Sequence, residues 1–155
     1  MNLEVHNQPI LRWWKKLWKL QCPAKAKILC WTILENKAPS CDALQRRCFQ
    51  GLGRCTLCCN SLETLDHLFL HCQYTQQIWQ GVGLALKASF IWPGPNFMET
   101  FRLWFVERAY LPYKALPCII SWGVWLAINK TIFQDLRIPL EVIVANILDV
   151  FQHFP

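Results

Sequence analysis

Cys55-Thr56-Leu57-Cys58-Cys59-Asn60-Ser61-Leu62-Glu63-Thr64-Leu65-Asp66-His67-Leu68-Phe69-Leu70-His71-Cys72 gathers four of the chain's nine cysteines and two of its four histidines. Cys55 and Cys58 form a CxxC pair, whose turn aims two thiolates at one point. His67 follows, and Cys72 closes the set as His-x4-Cys. A Zn²⁺ ion takes four thiolate, imidazole or carboxylate ligands in a tetrahedron, and closely spaced ligand pairs let a short chain supply them. Thr64 reads as a helix N-cap and Leu65 to Leu70 as helix, with His67 in its second turn. On a continuing α-helix His67 and His71 share a face at i, i+4, whereas His67 and Cys72 do not. The fourth ligand is therefore His71 if the helix continues and Cys72 if it stops at His71. Cys59, beside Cys58, is a competing thiol. Free cysteines are commonly just buried, but a CxxC with a downstream His and Cys is a specific metal pattern. A disulfide framework fits less well, because nine is an odd count and the N-terminus, with Glu4, lacks the apolar run of a secretory signal.

Outward from this stretch, 155 residues are enough for one domain with an extension and a real core. A chain 54% hydrophobic and only 17% charged is not a disordered one. With nine Trp and nine Phe, some aromatic surface is expected to stay exposed or to face a partner. The longest apolar run, Ala115 to Ile128, is shorter than the ~20 residues of a membrane span and contains Pro117, so no membrane span is expected. Residues 1–54 hold ten Lys/Arg against three Asp/Glu, and residues 55–155 hold six against seven. The positive charge belongs to the N-terminal third, which points to a polyanionic partner.

The periodicity is helical throughout, and strand signals are scarce. Ile10 to Leu20 reads as a short amphipathic helix with Trp14, Leu17 and Trp18 on one face and Lys15, Lys16 and Lys19 elsewhere. Core docking of that face is favoured over a membrane-surface role. Pro23 opens a second helix, Ala24 to Glu35, whose face of Ala24, Ile28 and Trp31, extended by the nearly all-apolar stretch Ile28 to Ile33, is expected in the core. Its Lys25 and Lys27 sit in the first turn, against the helix dipole, as candidates for phosphate contact. Ser40 caps a third helix, Cys41 to Arg47, ending in Arg46 and Arg47, and Arg54 leads into the CxxC. A helix follows Cys72 and ends near Trp79, and Gly81 to Pro95 reads as a packed connection. Asn96 caps a helix to about Tyr110, with Phe97, Phe101, Trp104 and Phe105 on one face. The stretch Tyr113 to Gln134 is apolar nearly all round and is the expected central helix, with Pro117 as a kink or its true start. A last helix runs from Pro139 to about Gln152. The expected fold is all-α: a small helical domain with an inserted CCHC zinc knuckle and a C-terminal helical extension.

This order of features resembles the zinc-binding domain that follows the reverse transcriptase in plant LINE-type (non-LTR) retrotransposons. The resemblance is carried by Trp14-Lys15-Lys16-Leu17-Trp18-Lys19-Leu20, Pro23-Ala24-Lys25-Ala26-Lys27-Ile28, Trp31, Lys37-Ala38-Pro39-Ser40, the knuckle and Trp79. It covers residues 10–80. The stretch Ser121 to Phe133, with Trp122, Trp125, Asn129 and Lys130, is similar to the segment preceding an RNase H-like domain. The resemblance implies a domain at 10–80 and an extension at 96–152 packed on it. It also implies the ligand set Cys55, Cys58, His67 and Cys72, and ranks Cys72 above His71. Such domains commonly carry Gly after the second Cys, where this chain has Cys59. The family domain is read as nucleic-acid-binding and is not credited with catalysis.

The residues agree with that last point. No Asp-Asp pair exists for a polymerase, the ten acids are scattered singly, and four protein ligands close a zinc site to substrate. An open three-ligand zinc with Glu63 or Asp66 as base is the enzymatic alternative. The leading expectation is a non-catalytic zinc module that holds RNA or DNA without reading sequence, through Lys15, Lys16, Lys19, Lys25, Lys27, Arg46, Arg47 and Arg54. The second expectation is a scaffold that docks polymerase or RNase H-like domains, or self-associates, through its aromatic helices. An intracellular site, nuclear or cytoplasmic, is expected under both.

Overall fold

The computed structural model describes residues 15–35, 55–59, 64–92 and 94–154. Among them every regular element is helical and no strand occurs, so the chain is all-α. A helical turn at 15–18 leads to α1 (Ala24–Leu34). A π-helical turn, His67–His71, precedes α2 (Gln73–Leu86). Then come α3 (Phe97–Val106), a 3-10 turn (Arg108–Tyr113), α4 (Leu116–Gln134) and α5 (Leu140–His153). Trp14 and the expected helix at 41–47 lie outside the described residues.

Helix α4 is the centre: α1, α2, α5 and the π-turn all pack on it. Its residues Leu116, Cys118, Ile119, Ile120, Val124, Ala127 and Ile128 are buried. Burying each large aliphatic side chain contributes about 1.5–3 kcal/mol, which is what gathers the shorter helices round this one. Pro117 lies in its first turn, where a missing N–H costs nothing, so it marks the true start and not a kink. By length and composition α4 is apolar enough to cross a membrane, more so than its continuous apolar run suggests, and half of its most apolar window is buried in the bundle.

Three expectations on elements are corrected. Within the stretch Ile28 to Ile33, Leu29, Cys30 and Ile33 are buried as expected, but with Ala26 they form the inner face of α1 in place of Ala24, Ile28 and Trp31; Ile28 is 50% exposed. Apolar residues occur on every side of this helix, so spacing alone could not choose the face. Helix α2 runs past Trp79 to Leu86, because Gly81 and Gly83 serve packing and do not break it. A Cβ on Gly81 would stand 2.9 Å from Val144 Cγ2, so the glycine lets α5 approach α2 closely. Helix α3 stops at Val106 and the chain tightens into the 3-10 turn, which brings Tyr110 onto Trp104 with ring centroids 4.0 Å apart. The cap and inner face of α3 are as expected: Asn96 Oδ1 accepts from the Glu99 amide at 2.9 Å, and Phe97, Phe101, Trp104 and Phe105 are buried.

The aromatic residues fill the part of the core between α2, α3 and the segment 88–92. Trp79 stacks on Trp92 at 4.6 Å, Trp104 meets both edge-on, and Phe90 and Phe97 close the sides. Of the described tryptophans, Trp79, Trp92 and Trp104 are buried, while Trp18, Trp31, Trp122 and Trp125 are half-buried.

Candidate metal centre

Residues 55–59 form a tight turn in which the Cys59 amide donates to the Cys55 carbonyl at 2.8 Å. That turn brings the Cys55 and Cys58 thiols to the same side. At its exit Cys59 takes φ 60°, the left-handed region that favours glycine, in keeping with the glycine common at this place in the resembling domains. The turn is held from outside by Arg137, in the α4–α5 connection. Its guanidinium donates to the Leu57 carbonyl at 3.3 Å and the Thr56 carbonyl at 3.5 Å, and lies 3.9 Å from Cys59 Sγ.

The other two donors come from the π-turn. Thr64 caps it, its Oγ1 accepting from the His67 amide at 3.0 Å. The Cys72 amide then donates to the His67 carbonyl at 2.6 Å, an i→i+5 bond. This wider turn answers the His-x4-Cys spacing. An α-helix superposes residues three and four apart, whereas a π-turn carries residue 72 round to residue 67. His71 is exposed at the end of the turn, and Cys72 is extended and opens α2. The ligand atoms of Cys55, Cys58, His67 and Cys72 lie within 4.8 Å of one another, and neither His71 nor Cys59 is in the group.

The spacings suit a metal. Cys55 Sγ and Cys72 Sγ are 3.8 Å apart, and Cys58 Sγ is 3.3 Å from His67 Nε2. A tetrahedron with Zn–S bonds of ~2.3 Å has S···S edges of ~3.8 Å. None of the described cysteines is joined in a disulfide. Cys55 and Cys72 share a proton: the hydrogen bond to Cys72, with burial, pushes the Cys55 thiol far up. That same bond holds Cys72 below its ordinary value, helped by the Thr75 and Tyr74 amides at the start of α2. Burial, then the nearby His71, lowers the His67 pKa and favours the neutral imidazole a metal requires. Two of the four donors, Cys72 and His67, are thus biased toward their ligating form, and binding would expel the Cys55 proton. Three sulfurs and one nitrogen are the donor number and type that a structural zinc ion would take.

Widening the turn leaves backbone carbonyls unpaired, and side chains from elsewhere take them. Thr75 Oγ1 donates to Leu68 O, Trp92 Nε1 to Phe69 O at 2.9 Å, and Gln76 Nε2 to Leu70 O. Asp66, weighed above as a base, accepts from the Phe97 amide at 2.8 Å and so ties the turn to α3. Arg137, Trp92, Thr75 and Gln76 were not read from the sequence. Nothing local marks them, since each acts on a backbone group distant in the chain or across a turn of unusual pitch.

Of the expected phosphate contacts, Lys15, Lys16, Lys19 and Lys25 are exposed. Lys27 is half-buried; its Nζ donates to the Trp18 carbonyl at 3.1 Å and lies 5.9 Å from the Trp18 ring centroid, fastening the 15–18 turn to α1. Arg46, Arg47 and Arg54, like Glu63, lie outside the described residues.

No curated protein and no solved structure matches the chain. A family profile described as zinc-binding in reverse transcriptase matches residues 2–79, half of the chain, taking in the whole donor set and no catalytic domain. With that match over half of its length and its four donor atoms gathered within 4.8 Å of one another, the chain belongs to the family of zinc-binding domains of reverse transcriptases.

Proposed function

We propose that this chain is a non-catalytic zinc module of a non-LTR, LINE-type reverse transcriptase of the plant kind, and that it holds RNA or DNA without reading its sequence. The observation that carries this is the overlap of the family match with the basic third of the chain: residues 2–79 include every one of the ten Lys/Arg of residues 1–54. Zinc, held by Cys55, Cys58, His67 and Cys72, supplies a fixed cross-link and no reacting position. The chain around it presents Lys15, Lys16, Lys19 and Lys25 to phosphates, with Lys27, Arg46, Arg47 and Arg54 in the same charge-rich region. A thiolate-rich site suits a reducing, intracellular setting, nuclear or cytoplasmic. The contacts of α4 with α1, α2 and α5 support a core role for that helix and not a bilayer one.

The test is the salt dependence of binding to unrelated labelled oligonucleotides. Neutralising about four phosphates gives a log–log slope of roughly −2.8 to −3.6. Charge reversal at Lys15/Lys16 should flatten the slope and weaken all sequences alike. A flat salt response in the unaltered protein sinks the reading. Exposed apolar residues on the C-terminal helices and their connection, among them Leu126, Leu136 and Val142, favour a second role in docking polymerase or RNase H-like domains or a second copy.

A further inference from the structure

Between the outer face of α1 and the middle of α4 lies an open groove of ≈ 270 Å³, lined by Lys25, Ile28, Leu29, Thr32, Trp122 and Trp125. Helical spacing builds it. Lys25, Ile28 and Thr32 stand at i, i+3 and i+7 on α1, and Trp122 and Trp125 at i and i+3 on α4. Both indoles are half-buried, held by the core on one side and open to solvent on the other. The Thr32 hydroxyl is spent on the Leu29 carbonyl at 2.7 Å, the other lining residues besides Lys25 are apolar or aromatic, and the lining includes a cation and no acid.

We infer that this groove is a stacking subsite for an unpaired base of single-stranded nucleic acid, with Lys25 Nζ meeting the adjoining phosphate. The inference rests on the nucleic-acid reading above and narrows its substrate class. In a duplex the flat faces of the bases are stacked inside, so indoles cannot reach them; an unpaired base offers a face that any base identity can supply. Charge complementarity favours this occupant over an apolar segment of another protein. A lysine at the rim gains from a phosphate and gains nothing from a leucine-rich helix, while the absence of acids from the lining removes repulsion of the strand. The two elements that meet here are the basic helix and the tryptophan-bearing helix, so the groove joins the cationic and the aromatic features of the chain at one place.

The experiment uses the full, zinc-loaded chain and fluorescence anisotropy with three labelled probes of about 12 units, a length one small domain can cover. These are an oligouridylate, an RNA duplex and an abasic strand. Trp125→Ala and Trp122→Ala should each weaken oligouridylate binding roughly tenfold, with the salt slope unchanged and the duplex and abasic probes hardly affected. Trp125→Phe should retain most of the affinity, which guards against simple misfolding, as do helix content and zinc content measured in each variant. Lys25→Glu should reduce both affinity and salt slope. If the unaltered chain binds oligouridylate and the tryptophan variants bind it equally well, the groove does not hold a base and is left for a protein partner, while the nucleic-acid reading survives. If the variants weaken all three probes alike, stacking is overturned. If the unaltered chain binds no probe, the nucleic-acid reading falls, and this inference with it.

Discussion

At the scale of single residues, the site turns on which thiols point inward. Cys72 does, because its thiol shares a proton with Cys55 at 3.8 Å; His71, one residue earlier, is exposed. Cys72→Ser should therefore abolish stoichiometric zinc in chelator-washed protein, and His71→Ala should keep it. Retention in the first and loss in the second would reverse the assignment. Cys59 stands outside the set and costs the turn something. At φ 60° a side chain with a Cβ is strained by about 1–2 kcal/mol. Cys59→Gly should then raise the free energy of unfolding of the zinc-loaded chain by about 1 kcal/mol, after the greater unfolded-state entropy of glycine is subtracted. Arg137 adds a weak contact to the Cys59 sulfur, but its bonds to the Thr56 and Leu57 carbonyls do not need that side chain. Urea unfolding in the presence of excess zinc measures the difference, and a loss of stability would show that the thiol itself holds the turn.

At the scale of elements, the legible parts were those whose spacing leaves one answer. Asn96 followed by aromatic residues at i, i+4 and i+7 admits only a capped helix with that face inward, and α3 is that helix. The CxxC, the histidine and the last cysteine were legible as a ligand set because chemistry marks them regardless of backbone. The face of α1 was not, since Ile28, Leu29, Cys30, Trp31 and Ile33 offer apolar surface in every direction and only the position of α4 chooses. Nor was the π-turn, because no residue preference distinguishes an i→i+5 turn from an α-helix. What decides is tertiary: Thr75, Trp92 and Gln76 stand ready to bond the Leu68, Phe69 and Leu70 carbonyls that the wide turn frees. This makes a specific prediction. Thr75→Val keeps the shape of a buried side chain but strands the Leu68 carbonyl, at a cost of about 1–3 kcal/mol. The loss should appear in chemical denaturation and should be matched by weaker zinc binding, because the turn that carries His67 to Cys72 is the element being undermined. An unchanged zinc affinity would mean the metal, and not the side-chain bonds, sets the pitch of the turn.

At the scale of the molecule, the family match ends at residue 79, but the packing does not. The buried face of α1, formed by Ala26, Leu29, Cys30 and Ile33, lies against α4, more than eighty residues later in the chain. The metal turn itself is held from the α4–α5 connection, where Arg137 bonds the CxxC carbonyls and the Ile138 carbonyl accepts from Tyr74 Oη at 2.9 Å. Helix α5 closes on both α2 and α4 over glycines: a Cβ on Gly123 would stand 2.9 Å from Ile147, as one on Gly81 would from Val144. A fragment of residues 1–92 keeps every donor yet loses the surface that covers them. Zinc could still bring four ligands together locally, since structural zinc supplies folding free energy of its own. It could not cover the apolar face of α1, nor replace Trp104 and Phe97 beside Trp92. The fragment should therefore bind zinc more weakly than the full chain, unfold without a cooperative transition and bind a hydrophobic dye. The full chain should unfold in one transition. If the fragment instead melts cooperatively and holds one zinc as tightly as the full chain, the matched segment is an independent unit, and residues 93–155 are a passenger rather than half of the core.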